Sequence, residues 1–189
     1  MLIILQEMKA LEGKVDRRVI KTKESLHDVF IELLSQKPLK NITVKELSEK
    51  ADINRATFYL HYKDVFDLLE QLEAEVIEKF SDICDSLNAD FSEAEFISVF
   101  IKLLEFIREN QQLCNVLFGS NGDRSFFEKL VKIVTDKCFD KEQYTSYSFS
   151  FVLAGTVGII LNWISEGMAE SSEGVATHTL EMIKKIRQM

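Results

Sequence analysis

The chain has 189 residues, of which 46% are hydrophobic and 29% are charged, and its net charge is −8. This composition is typical of a folded globular protein and excludes a disordered or fibrous chain. One proline and seven glycines are spread among apolar residues that recur every three or four positions. The sequence therefore predicts an all-α fold of about nine helices.

The charge is divided unevenly along the chain. Residues 14–64 contain 11 Lys and Arg against 8 Asp and Glu, a net of +3, whereas residues 65–189 contain 11 against 21, a net of −10. Phosphate binding depends on Lys and Arg, so the overall negative charge by itself argues against a nucleic-acid partner. The division instead indicates a small basic domain over residues 14–64, which could read DNA, and an acidic body over residues 65–189.

Several features bear on location and redox state. The amino-terminal stretch MLIILQEMKALEGK lacks the basic region and cleavage site of a secretory signal. The uncharged run 144–165 mixes Ser, Thr and Asn with apolar residues, which favours a buried helix over a membrane span. We therefore expect a cytoplasmic protein with no membrane partner. Three widely spaced cysteines in apolar surroundings favour reduced core residues over disulfides or a metal site: Cys84, Cys114 and Cys138.

The first two predicted helices are separated by a proline. An apolar stripe predicts a helix over residues 16–34, and Pro38 prevents its continuation. Thr43 with Glu46 three residues later has the pattern of a capping box, so a second helix should begin there. This helix is expected to bury Val44, Leu47 and Ala51.

A third predicted helix follows a very short turn. Asp52 and Ile53 form the turn, and Asn54 is a suitable N-cap for a helix over residues 55–62. The spacing turns Ile53, Phe58 and Tyr62 inward. It leaves the side chains of Arg55, Ala56, Thr57, Tyr59 and His61 on or near the outer surface.

The rest of the chain is predicted as six more helices. They cover residues 64–87, 93–109, 111–117, 124–139, 144–166 and 174–188, with a break at 88–91 and a clear loop in the GSNGD motif from Gly119. The first of them should present one apolar face formed by Phe66, Leu69, Leu72, Val76, Phe80 and Ile83.

Two short helices joined by a tight turn can bind DNA, because the first braces on the backbone while the second enters the major groove. Arg55 can fork onto a guanine or a phosphate, Thr57 can bond a base edge or touch a thymine methyl, and Ala56 permits close approach. Phosphate contacts are expected from Tyr59, His61 and Lys63, and from Thr43 and Lys45 where a helix dipole favours an anion. The alternative is a generic helical bundle, since a capping box alone says nothing about DNA.

The run from Thr43 to Lys63, TVKELSEKADINRATFYLHYK, resembles the DNA-binding domain of the TetR family of bacterial transcriptional regulators. The resemblance covers residues 16–68, and the later helices match only in length, number and helical character. It implies a homodimeric repressor whose amino-terminal three-helix helix-turn-helix domain binds operator DNA. Its carboxy-terminal helical domain would dimerise and sense a small-molecule effector.

By position, the resemblance implies DNA contacts from Thr43, Lys45, Asn54, Arg55, Ala56, Thr57, Tyr59 and His61. The chain departs from the family at Val65, where members commonly carry a lysine that holds a phosphate. Lys63 or backbone amides are the candidates to replace that contact. Leu60 occupies a variable position, and its part in base choice is open.

In the body, the resemblance places the dimer interface on the two last long helices. The expected interface residues are Phe151, Gly155, Gly158 and Trp163, and the alternative is an intramolecular core helix. An aromatic-rich middle region suggests a pocket for an apolar effector lined by Phe96, Phe100, Phe118 and Phe127, with plain core packing as the alternative. His178 stands alone on the last helix, and we expect it to be solvated.

The leading hypothesis is therefore a repressor released by an effector. A TetR-like activator, or a coactivator that binds a protein partner with reduced operator affinity, is the alternative motivated by Val65 and the acidic body. The sequence shows no metal-ligand spacing, no phosphate-cradling glycine loop and no nucleophile–base pair, so we expect no enzymatic activity, no metal and no cofactor.

Overall fold

The computed structural model describes residues 17–85, 92–118, 124–138 and 146–187. In these ranges the chain is α-helical apart from short connections and a 3-10 turn at Leu39–Asn41, and they contain no strand, which confirms the all-α prediction. The predicted break at 88–91 and the GSNGD loop lie outside them. Within the described residues the chain forms nine helices: α1 (Arg17–Gln36), α2 (Val44–Lys50), α3 (Arg55–Tyr59), α4 (Val65–Cys84), α5 (Glu93–Glu109), α6 (Gln111–Phe118), α7 (Arg124–Cys138), α8 (Ser146–Ser165) and α9 (Ser172–Arg187).

The chain divides into two compact units. The first unit takes the chain up to Glu78 together with Gln112–Gly122, and the second takes Lys79–Gln111 and the chain from Asp123 onward. Helix α4 contributes residues to both, and nearly all of α6 belongs to the first. This is a division by packing, and the functional boundary between residues 64 and 65 stays a prediction.

In the first unit, α1 packs against α2, and α2 packs against α3. Most of the predicted stripe of α1 is buried, with Leu26, Phe30 and Leu33 at most 1% exposed, and Val29 is half-buried. The helix ends at Gln36, because Pro38 has no amide hydrogen to continue it and disfavours helical geometry in the residue before it. The core of this unit thus lies on the predicted apolar face of α1.

The capping box predicted at α2 is only half formed. The Thr43 side chain accepts a hydrogen bond from the amide of Glu46 at 3.2 Å, as predicted. The Glu46 carboxylate, however, binds the ammonium group of Lys37 at 2.5 Å. A charged donor is a stronger partner for a carboxylate than a backbone amide, which explains the exchange.

Helix α4 buries a face that partly matches the predicted one. Leu72, Val76 and Phe80 are buried as predicted, Leu69 and Ile83 are half-buried, and Phe66 is exposed. Asp64 caps it by accepting from the amides of Phe66 and Asp67 at 2.8 and 2.9 Å. Phe66 is 57% exposed, whereas its neighbour Val65 is 6% exposed. The apolar run offers two overlapping stripes, and packing selects the one that contains Val65, Leu68, Leu72 and Val76.

In the second unit, α9 packs against α5 and α8. Helix α5 opens with a complete capping box, because the Ser92 and Glu95 side chains each accept from the other's amide. Its buried residues are Val99, Phe100, Leu104, Phe106 and Ile107. Those of α9 include Val175, Ala176, Leu180 and Ile183.

Helix α8 is the main departure from the sequence-based expectation. We expected a buried helix, but only 11% of the stretch Tyr147–Ser165 is buried in the protomer. That expectation is wrong for a single protomer. Among the residues that the structure describes, this is also the one helix long and apolar enough to cross a membrane by length and composition.

Two of the three cysteines lie in the core, as predicted. Cys84 is 3% exposed and Cys114 is 1% exposed. Burial raises the pKa of the Cys114 thiol well above its usual range, so this group is an inert core residue. The side chain of Cys138 lies outside the described residues.

Candidate nucleic-acid interface

The turn between α2 and α3 closes with a specific backbone motif. The amide of Ile53 donates to the carbonyl oxygen of Ser48 at 3.0 Å, and the amide of Asp52 donates to that of Glu49 at 3.4 Å. Asp52 has a φ of 53°, in the left-handed region that ends many helices. These are the bonds of a Schellman motif, and they set the direction in which α3 leaves α2.

Helix α3 is capped as predicted but is shorter than predicted. The Asn54 side-chain oxygen accepts from the Ala56 amide at 2.8 Å. The helix ends at Tyr59 instead of Tyr62. The chain then turns tightly, because the amides of His61 and Tyr62 both donate to the carbonyl oxygen of Phe58, at 2.9 and 3.0 Å.

None of the predicted DNA-contacting side chains is buried. They lie at the start of α2, in α3 and in the turn that follows it, while Phe58 and Tyr62 point inward with exposures of 0% and 2%. Thr57 and His61 are half-buried, and the exposed members are Thr43, Lys45, Asn54, Arg55, Ala56, Tyr59 and Lys63. Their contacts with DNA stay predictions.

The electrostatics of this surface leave its donors available. The Arg55 guanidinium is exposed and makes no hydrogen bond or ion pair with any residue that the structure describes. The Lys45 ammonium is 4.0 Å from Glu49 in a solvated pair. Burial, and then the positive charge of Lys23, lowers the pKa of His61, so its imidazole is neutral near pH 7 and can donate one hydrogen bond.

Three amides at the beginning of α4 are already bound by carboxylates. The Lys63 amide donates to the Asp67 carboxylate at 2.7 Å. The amides of Phe66 and Asp67 are bound by Asp64, and Val65 is buried. The Lys63 side chain is exposed, and its part in this phosphate contact stays a prediction.

Behind the surface lies a polar pair that the sequence reasoning missed. The imidazole Nε2 of His27 is 2.8 Å from the phenol oxygen of Tyr62, and both side chains are buried. Burial, with a smaller contribution from Lys23, lowers the pKa of His27 to about 4. The available signal was a histidine directly after Leu26 in a stripe that is otherwise apolar, because a buried imidazole needs a polar partner.

The predicted pocket residues are divided between the units. Phe96 and Phe100 stack with ring centroids 5.4 Å apart in α5, and Phe127 is half-buried in α7. Phe118 lies at the end of α6, which belongs to the first unit. Their role in ligand binding stays a prediction.

The predicted interface residues differ in exposure. Phe151 is 65% exposed, and a Cβ added at Gly155 or Gly158 would meet no atom within 4 Å. The prediction that Trp163 lies in the dimer interface is corrected. This residue is 4% exposed within the protomer, and its indole donates to the carbonyl oxygen of Glu170 at 3.0 Å. We assign this residue to the protomer core, and the other three stay predictions.

His178 is exposed, as expected. Its Nδ1 lies 2.9 Å from a carboxylate oxygen of Glu170 in a solvated pair.

Comparison with known proteins agrees with this architecture. A TetR-type family model described as a transcriptional regulator C-terminal region matches residues 94–185. The uncharacterized HTH-type transcriptional regulator YxbF of Bacillus subtilis (strain 168) is 29% identical over 185 residues, which covers 91% of this chain. The chain spans 47% of the length of that relative.

Solved structures show the same fold at low sequence identity. A TetR transcriptional regulator from Streptococcus agalactiae 2603V has a TM-score of 0.62 at 20% identity, covering 89% of this chain and 96% of that one. FadR from Bacillus subtilis, solved in complex with stearoyl-CoA, has a TM-score of 0.56 at 15% identity, covering 85% and 96%. The matched carboxy-terminal region and the YxbF relative support a transcriptional regulator of TetR type, and the helix-turn-helix geometry and the shared fold agree with that.

Proposed function

We propose that the protein is a homodimeric repressor that binds operator DNA through its helix-turn-helix and is released by a small-molecule effector. The observation that carries the proposal is the exposed Arg55, which has no partner among the described residues and begins a short, capped helix. A cationic fork held at the start of α3 is suited to a guanine edge or a phosphate.

The rest of the surface supports this role. Thr57 and Ala56 offer a hydroxyl, a methyl group and close approach beside Arg55, which are the features that base recognition uses. Tyr59 is 58% exposed and packs edge-to-face on buried Phe58, which holds its hydroxyl outward for a phosphate. The positive charge of residues 14–64 adds a sequence-independent attraction to the duplex.

An electrophoretic mobility shift with the DNA that flanks the coding region tests the proposal. Arg55→Ala should weaken binding about 10- to 100-fold, the effect of losing one bidentate base contact. Lys132→Ala, which removes an exposed charge from α7, is the matched control and should bind like the wild type. If no duplex is bound even at low salt, the proposal fails.

A second copy of the chain is the proposed partner of α8. Its exposed face carries Tyr147 and Phe151, 88% and 65% exposed, and a contiguous apolar surface is costly to leave in water. Gly155 and Gly158 have open space around them, so packing within the protomer does not require small residues there. Small residues at these positions would let a partner helix approach closely.

Sedimentation velocity tests the dimer. A stable interface buries about 800 Å² on each partner, and a charge at its centre is poorly tolerated. Gly158→Glu should therefore yield monomers at concentrations where the wild type is dimeric, while Lys132→Glu should remain dimeric. A monomeric wild type would refute this part of the proposal. To enter successive major grooves, the two copies of α3 in such a dimer would have to lie about 34 to 36 Å apart.

The proposed effector is a small apolar molecule bound in the second unit. The stacked pair Phe96–Phe100 supplies an aromatic wall of the kind that apolar ligands use. The similarity to FadR, whose structure contains stearoyl-CoA, motivates acyl-CoA molecules as the first compounds to test, with the apolar acyl chain as the part that would contact this wall. A bound effector should raise the unfolding temperature and weaken DNA binding of the same protein; stabilisation without release of DNA would argue against a repressor.

We further propose a cytoplasmic location and no enzymatic activity. The family consists of transcriptional regulators, whose operators lie in the cytoplasm of a bacterium. The apolar helix α8 is accounted for by the proposed dimer, without a membrane. Fractionation that finds the protein in the membrane would contradict this.

A second candidate function is an activator or a coactivator that binds a protein partner and has reduced operator affinity. Val65 is buried and nearby amides are occupied by Asp64 and Asp67, which weakens the phosphate grip at the start of α4. A promoter fusion distinguishes the candidates, because deletion of the regulator raises expression of a repressed gene and lowers that of an activated one.

A further inference from the structure

We propose that the buried His27–Tyr62 pair is a lock that ties the end of the reading helix to α1 and so sets the orientation of the DNA-contacting side chains. The two residues are positioning residues, since neither is exposed to a duplex. The inference rests on the proposed DNA-binding function.

The bond joins two parts of the first unit that are distant in sequence. His27 lies in the middle of α1, and Tyr62 follows it by 35 residues, immediately after the turn that ends α3. The Nε2–Oη distance of 2.8 Å is that of a good hydrogen bond, and the side chains are 0% and 2% exposed. Solvent therefore does not compete for either partner.

Tyr62 is itself rigidly connected to α3. Its amide donates to the carbonyl oxygen of Phe58 at 3.0 Å, and its ring lies 5.6 Å from the ring of Phe58 between centroids. The backbone and the ring of Tyr62 thus both contact Phe58 of α3. Of the proposed phosphate contacts, Tyr59 is the last residue of α3 and His61 directly precedes Tyr62.

Helix α1 also holds the preceding helix. The Ser25 hydroxyl donates to the carbonyl oxygen of Ala51 at 3.2 Å, at the end of α2. Two side chains of α1 thus bind the end of the bracing helix and the end of the reading helix. The helix-turn-helix is therefore attached to α1 at two points, next to the Schellman turn and just beyond α3.

If the pair only filled the core, its buried polar atoms would be a disadvantage. The Nδ1 atom of His27 is buried and has no hydrogen-bond partner among the described residues. An apolar pair of similar shape would fill the same space without this unsatisfied nitrogen and could be as stable. What the polar pair adds is direction, because a hydrogen bond weakens steeply with angle while an apolar contact tolerates sliding.

The test compares Tyr62→Phe with the double variant His27→Leu/Tyr62→Phe. The probe is a duplex that the wild-type protein enriches from a random pool, set against a random-sequence duplex of the same length. Tyr62→Phe removes one oxygen atom, and it should lower affinity for the enriched duplex about tenfold. Affinity for the random duplex, and the salt dependence of binding, should stay near the wild-type values because no charge is lost.

The double variant separates positioning from stability. It removes the unsatisfied imidazole, so its urea midpoint should return to that of the wild type or exceed it, whereas affinity for the enriched duplex should remain low. Recovery of stability and affinity together would show that the pair only fills the core and would overturn the lock. Undiminished affinity of Tyr62→Phe would overturn it too.

Failure of the lock is distinguishable from failure of the proposed function. A wild-type protein that enriches no duplex refutes DNA binding itself, and the lock with it. A wild-type protein that enriches a duplex, beside variants that bind that duplex equally well, refutes the lock alone.

Discussion

Acid should destabilise this protein through His27, and replacing that residue should remove most of the effect. Burial lowers the pKa of His27 from its ordinary 6.5 to about 4, and Lys23 contributes a smaller part. Between pH 6.5 and 4, His27 therefore binds a proton in the unfolded chain but not in the folded protein. Stability is fully present above pH 6.5 and falls as the pH drops from 6.5 toward 4, below which both states are protonated.

The magnitude follows from the separation of the two pKa values. Each unit is worth about 1.4 kcal/mol, so the whole loss is about 3 kcal/mol and the loss at pH 5 is about 2 kcal/mol. His27 is deeply buried, so solvent screening does not reduce this figure greatly. The loss is a substantial part of the roughly 5 to 15 kcal/mol that typically holds a protein folded.

Urea unfolding followed by far-ultraviolet circular dichroism, at pH 7 and pH 5 and constant protein concentration, measures the effect. His27→Gln keeps a polar group near Tyr62 but cannot be protonated in this range. Burial also raises the pKa of Glu75 and lowers that of His61, but both groups are present in the wild type and in the variant. The difference between the two proteins therefore isolates His27. His178→Gln is the matched control on the surface, and it should lose stability at pH 5 as the wild type does.

Equal losses in the wild type and in His27→Gln would refute the reasoning. That outcome would mean that the imidazole is hydrated or finds a partner for its second nitrogen in the folded protein.

Three further predictions concern the first unit and its caps. Asn54→Ala should lower the free energy of unfolding in urea by about 1 kcal/mol, because it removes the cap of α3. Asn54→Asp keeps a capping oxygen and should not, so equal losses in the two variants would contradict the cap. Asp52→Gly should stabilise the protein by about 0.5 to 1 kcal/mol, since glycine adopts the left-handed conformation without strain. Asp52→Ala is the control and should destabilise it. A loss of stability in the glycine variant would refute this prediction. Cys114 should resist a thiol reagent in native protein and react in urea, as peptide mapping by mass spectrometry would show; rapid native labelling would contradict its burial.

Helix starts were the most predictable feature of this fold. The side chains of Thr43, Asn54 and Ser92 each bind an amide two or three residues ahead. Such a bond depends only on the adjacent sequence, so a pattern of residue types is enough to predict it. The same holds for the tight turn at Asp52, which needs a residue that tolerates a positive φ.

The partners of long side chains were less predictable. Glu46 has the right spacing to complete a capping box, yet its carboxylate binds Lys37 across the connection between α1 and α2. Phe66 and Val65 are adjacent apolar residues, and the sequence offered no reason to prefer burial of the smaller one. In both cases the choice depends on which groups the folded chain brings within reach.

The candidate site divides in the same way. The sequence predicted that α3 would not bury Arg55, Thr57 and Tyr59, because these residues lie on the side of the helix away from Phe58. The bond between His27 and Tyr62 did not, since it joins residues 35 positions apart. Sequence periodicity reports which side of a helix is apolar, but it does not report which helix that side meets.

The amino-acid sequence by itself determined the helical class, the helix boundaries to within a few residues and the exposed chemistry of α3, because caps and periodicity act over a single turn. Tertiary structure alone decided that α8 lies largely uncovered in the protomer and that a histidine of α1 meets a tyrosine beyond α3. The physical reason is that burial and hydrogen bonding between distant segments depend on chain packing in space, where many apolar stripes are chemically equivalent partners.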